Sequence, residues 1–114
     1  MNQPRGWDRS HEGVKMAVLM TADLPISLDD ATALSTAMDA FDNPPTGLIV
    51  HLTTKTPDGV RIVDIWESQE DIQKFSDEVL LPTMRRVFDE RGISLEGPPP
   101  EPTFEEGFDL VRGR

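Results

Sequence analysis

Gly59-Val-Arg-Ile-Val-Asp-Ile-Trp-Glu-Ser-Gln-Glu-Asp-Ile-Gln-Lys-Phe75 is the stretch that decides the fold. Val60 to Trp66 are β-branched or aromatic at most positions, which suits a pleated and largely buried surface. Ser68 follows with a hydroxyl that can accept from the free N–H groups of a helix start, and Asp71 stands three residues on, as in a capping box. Ile72, Phe75 and Val79 then recur at helical spacing. A strand therefore runs directly into a capped helix, and a large aromatic, Trp66, stands at their junction.

Upstream, Thr56-Pro57-Asp58-Gly59 is a turn signal, so Thr46–Lys55 and Val60–Trp66 are expected to form a hairpin. An earlier strand is expected over Val14–Thr21, with Val14, Met16, Val18 and Met20 on one side and Ala17 and Leu19 on the other. Asp23-Leu-Pro25 is expected to break it. Ser27 then caps a helix with Asp30 as its partner, and Leu28, Ala31, Leu34, Met38 and Phe41 form its apolar stripe. Asp42-Asn-Pro-Pro45 closes that helix.

Downstream, Pro82 predicts a kink or restart near Leu80–Pro82. Met84, Val87 and Phe88 continue the apolar face to Gly92, a C-terminal cap. Gly97-Pro-Pro-Pro100 is a stiff connector. Phe104, Phe108 and Leu110 alternate with acidic residues, predicting a last strand over Thr103–Val111. Residues 1–13 read as a flexible arm carrying Trp7, and 14–114 as a single domain.

The order is β-α-β-β-α-β: an α+β, ferredoxin-like fold, a four-stranded antiparallel sheet with two helices on one face. Val60 and Ile62 are apolar on one side of the third strand, and Val63 and Ile65 on the other. A sheet with helices on one face only would leave its second face apolar and open. A homodimer, sheet against sheet, is the expected remedy.

Composition narrows the function. The chain has 114 residues, no cysteine, a formal charge of −10 and a pI near 4.4. Disulfides and thiolate chemistry are excluded, which fits a reducing, cytoplasmic setting. Such a charge repels phosphate backbones and anionic lipid, so neither nucleic acid nor a membrane is expected as a partner. The Val14–Met20 run is far too short to span a bilayer, and residues 1–13 lack the apolar core of a signal peptide. The acidic residues form no compact liganding pattern and only two histidines exist, so no metal site is expected; no glycine-rich phosphate loop is present, and no cofactor is expected.

The hairpin, the Arg61-Ile-Val-Asp-Ile-Trp66-Glu67-Ser68 junction and Phe75 resemble the dimeric α+β barrel proteins, most closely those related to antibiotic biosynthesis monooxygenases. The resemblance covers about residues 14–111. It implies two ferredoxin-like subunits packed sheet to sheet, each with a cavity between its own sheet and helices. It also implies oxidation of polycyclic aromatic substrates without metal or flavin, by a tryptophan at this junction and an asparagine on the preceding strand. Trp66 matches the tryptophan. Thr46–Lys55 holds no asparagine, and His51 is the nearest polar substitute. Residues 68–91 hold no histidine, which departs from the haem-degrading relatives.

Three residues carry the site reading. Trp66 either lines a ligand cavity or fills the core where strand meets helix, and packing alone rewards the second. Asp64, on Trp66's side of an apolar strand, is either a buried carboxylate with catalytic potential or a partner of an arginine or a cavity edge. His51 is a candidate general base near neutral pH or a hydrogen-bonded structural histidine. A type I turn with a glycine bulge at Gly59 would pair Val50 with Trp66, Leu52 with Asp64 and His51 with Ile65. That register points His51 away from Trp66, and a slip of one residue reverses it. Arg85, Arg86 and Arg91 suit the negative end of the second helix and read as solvated. Met16, Met20, Met38 and Met84 read as core fillers.

Trp66 and Asp64 are thus the expected ligand-binding residues. The expected function is the binding of a small apolar molecule between sheet and helices, with a cofactor-independent monooxygenase-like or isomerase-like activity. The alternative is a non-catalytic dimeric module with a filled core. An accessory subunit docking through the proline-rich segment or the N-terminal arm is a third reading.

Overall fold

The computed structural model describes residues 17–98 and 100–113. The N-terminal arm, Trp7 and the expected strand positions Val14 and Met16 lie outside the described residues. The elements are β1 (Val18–Leu24), α1 (Leu28–Met38), β2 (Leu48–Thr56), β3 (Gly59–Trp66), α2 (Gln69–Phe75), a π-helical turn (Ser76–Leu80), α3 (Leu81–Arg91) and β4 (Thr103–Glu106). The strands form one antiparallel sheet in the order β2-β3-β1-β4. This is the ferredoxin-like arrangement expected from the element order.

Local chemistry accounts for the helix starts. Ser27 Oγ accepts from the Asp30 backbone N–H at 3.0 Å. Ser68 Oγ accepts from the Asp71 N–H at 3.1 Å, and its hydroxyl donates to Asp71 Oδ2 at 3.0 Å. Pro82 has the expected consequence. The Leu81 N–H reaches back five residues to the Ser76 carbonyl, a wide turn that ends where the proline ring would collide with an α-helical carbonyl one turn back. The chain then resumes as α3 and stops at Gly92, whose φ is 68°.

Four expectations are corrected. β1 runs on to Leu24, because pairing with β3 extends to Leu24 opposite Val60 and only Pro25 ends it. α1 stops at Met38, where Asp39 takes a left-handed conformation with φ 56°. Phe41 therefore leaves the helical stripe and is 92% exposed. β4 ends at Glu106 and not at Val111, so Phe108 lies beyond the sheet and is exposed. Arg91 is not simply solvated: its Nε donates to Asp30 Oδ1 at 2.7 Å and ties the end of α3 to the start of α1.

The two faces of the sheet differ. Residues directly opposite each other across antiparallel strands share a face. One face carries Val18, Met20, Leu48, Val60, Asp64 and Trp66, and the helices pack on it through Ile72 and Phe75. The other carries Leu19, Val50, Leu52, Val63 and Ile65, with Val50 and Leu52 about half exposed. Among the described residues no helix is long and apolar enough to cross a membrane.

Candidate functional site: a carboxylate shared by His51 and Trp66

The site follows from how β2 meets β3. Thr56 pairs with Gly59, so Pro57 and Asp58 alone make the loop. Gly59 does not have positive φ, and no glycine bulge forms there. It is glycine for a different reason: a Cβ at this position would run into the carbonyl oxygen of Leu24 and the backbone of Pro25. The bulge lies instead between Leu48 and Val50, where Ile49 is the extra residue. The expected register is therefore wrong by one residue. His51 pairs with Asp64, not with Ile65, and the side chain assigned to the opposite face joins the helix-facing one. The bulge resets the alternation, so Leu48 also turns to this face and packs beside Trp66.

Asp64 stands at the centre. It is the one buried charged residue among those described, 6% exposed. Its Oδ1 lies 2.7 Å from His51 Nδ1, and its Oδ2 accepts the Trp66 indole N–H at 3.2 Å. A buried carboxylate requires such partners. With Nδ1–H donated to Asp64, the neutral imidazole keeps its lone pair on Nε2. Thr53 Oγ1 lies 3.2 Å from that Nε2. The chain Thr53–His51–Asp64–Trp66 thus runs from the open β2 edge into the core. The His51 side chain is 36% exposed, whereas Trp66 is 2% exposed and packs against Phe75 with ring centroids 5.5 Å apart.

The hydrogen bond to Asp64 raises the His51 pKa above its usual 6.5; partial burial opposes this, and the carboxylate's charge reinforces it. A histidine so held is a stronger proton acceptor than a free imidazole, with Nε2 as the working atom. The arrangement supplies base chemistry. Among the described residues no group of three or more His, Cys, Asp or Glu side chains is placed to hold a metal.

Space is limited. One cleft, about 260 Å³, opens at the β4 edge among Val18, Ser68, Gln69, Phe104, Glu105 and Glu106. A smaller one of about 140 Å³ lies between the α1–β2 connection and α2. Neither includes His51, Asp64 or Trp66, and both fall below the several hundred cubic ångströms usual for ligand pockets.

The structure brings together the two expected residues, Asp64 and Trp66, and adds His51 and Thr53. Sequence reasoning placed His51 elsewhere because it read Gly59 as a turn glycine. A two-residue Pro57-Asp58 loop was the alternative that would have paired His51 with Asp64.

No protein-family model and no curated protein matches the chain. Solved structures do. Rv0793 from Mycobacterium tuberculosis matches with a TM-score of 0.55 at 18% identity, over 84% of this chain and 99% of that one. An antibiotic biosynthesis monooxygenase-like protein from Deinococcus radiodurans matches at 0.54 and 11% identity, over 85% and 97%. A monooxygenase from the gene ActVA-Orf6 of Streptomyces coelicolor, solved with nanaomycin D, matches at 0.51 and 13% identity, over 92% and 97%. At such identities the likeness is one of architecture: this chain has the α+β fold seen in these antibiotic biosynthesis monooxygenase-like structures.

Proposed function

We propose that this chain binds a small, largely apolar molecule on the helix-facing side of its sheet and takes a proton from it with His51. Asp64 and Trp66 complete the site. The observation that carries the reading is the 2.7 Å contact between His51 Nδ1 and the buried Asp64 carboxylate, which leaves Nε2, 3.2 Å from Thr53 Oγ1, as the accepting nitrogen. Removal of a proton from an acidic hydroxyl or carbon is a first step open to both a cofactor-independent oxygenase and an isomerase. The fold likeness to monooxygenases supports the first of these. His51 stands on the strand where the resemblance implies an asparagine.

The same reading includes a homodimer. The β2 edge turns Val50 and Leu52 outward and His51, Thr53 and Lys55 toward the helices. That is the reverse of what an isolated sheet in water favours, and a second copy on the outer face would bury the apolar row.

The test uses Trp66 fluorescence with Trp7→Phe removing the second indole. Aromatic molecules bearing an acidic hydroxyl are expected to perturb it, and oxygen uptake reports oxygenase turnover. His51→Gln should abolish turnover and retain binding. No binding by any member of such a panel would overturn the reading. A second reading, a non-catalytic dimeric module with a filled core, is favoured by the near-complete burial of Trp66 and by the absence of a described cleft beside it.

A further inference from the structure

We propose that Trp66 is a positioning residue: its indole N–H holds one oxygen of Asp64 so that the other faces His51, and it acts on the site through that carboxylate instead of by touching a ligand. Three observations point the same way. The Trp66 N–H is committed to Asp64 Oδ2 at 3.2 Å. Its ring is 2% exposed, flanked on the sheet by Val18 and Leu48 and covered by Ile72 and Phe75, which leaves no face for a ligand. Neither described cleft reaches it.

The physical consequence concerns His51. Each donor stabilises the carboxylate's charge, so a bond from one lessens the pull of that charge on the other. The indole bond is strongest when His51 is neutral and Asp64's charge is uncompensated. It therefore favours the neutral imidazole and restrains the rise in basicity that Asp64 causes. Trp66 in this way limits that rise, and it fixes the carboxylate's rotation, hence the tautomer that leaves Nε2 as the acceptor. On the sheet, the same-face neighbours of this network are Thr53 on His51's own strand, Lys55 beyond it, and Met20, which lies opposite Asp64 on β1 and carries no charge; from the helices, Ile72 and Phe75, also uncharged, pack on Trp66.

This inference rests on His51 being the working base of the proposed site, but its test needs no ligand, so the two fail separately. In nitrogen-15 spectra of the full chain, with Trp7→Phe and His11→Gln to remove the other indole and imidazole, the Trp66 indole N–H should titrate with the same midpoint as the His51 ring. An indole signal that stays still while His51 titrates would overturn the proposal. Trp66→Phe keeps aromatic bulk beside Phe75 and removes the donor, and should move the His51 midpoint upward. Phe75→Leu loosens the packing and keeps the donor, and should leave that midpoint in place. Equal shifts in the two variants would make Trp66 a packing residue only. Should Trp66→Phe fail to fold, the shared titration in the unsubstituted network still decides the matter.

Discussion

His51 on β2 and Asp64 on β3 face each other directly, and their side chains close a 2.7 Å contact on the helix-facing side of the sheet. Because one partner is buried and the other is a third exposed, the pair joins the core to solvent. It also makes stability depend on pH in a defined direction.

The His51 pKa is raised in the folded chain. The folded state therefore binds the proton more tightly than the unfolded one. The resulting stabilisation is complete below the unfolded value near 6.5 and is lost as pH rises through the folded pKa. Denaturant midpoints measured from pH 5 to 9 should fall across that window, by less than about 1 kcal/mol given the exposure of the ring. His51→Gln should remove this dependence, and an unchanged slope in that variant would contradict the assignment.

Asp64→Ala strips the acceptor from both the indole N–H and the imidazole. The buried Trp66 donor is then left unpaired, at a cost of about 1–3 kcal/mol. Asp64→Asn retains an oxygen and should cost less. Both variants should return the His51 titration toward its ordinary value, which proton spectra of the ring would report.

Ser68→Ala should destabilise the chain by about 0.5–2 kcal/mol through loss of the cap at the start of α2. The bond from the Asp71 N–H to Ser68 Oγ is the interaction removed. A thermal or urea midpoint equal to that of the parent would show that the cap contributes nothing.

Gly59→Ala tests why that glycine is there. Its φ is not positive, so the backbone angle alone tolerates alanine, but the new methyl would press on the Leu24 carbonyl and Pro25. Overpacking of this kind costs about 1–3 kcal/mol. A neutral effect would place Leu24–Pro25 farther from the hairpin than described.

Leu52→Lys, on the outer face, should give a monomer by sedimentation if that face joins two copies. The helix-facing His51–Asp64 contact lies on the other side of the sheet and should survive. A parent protein that sediments as a folded monomer at micromolar concentration would remove the dimer from the proposed function.

The sequence by itself determined the elements and their order. Ser27 and Ser68 cap their helices, Pro82 interrupts the second helical region, Gly92 ends it, and the β-branched run before Trp66 is a strand. These follow from backbone chemistry within a few residues, which one sequence displays in full. The apolar character of both strand parities also stood in the residues, as did the joint position of Asp64 and Trp66, since residues two apart on a strand share a face. Only the tertiary structure decided that His51 belongs with them. That depended on the register of β2 against β3, set by a two-residue Pro57-Asp58 loop whose Gly59 meets Leu24 and Pro25 from another part of the chain. A side-chain period of two makes a slip of one residue exchange the faces. The same long-range pairing explains Arg91, whose partner Asp30 lies on a different helix. Contacts between segments distant in the chain leave no local pattern, and they are what assembled the His51–Asp64–Trp66 network.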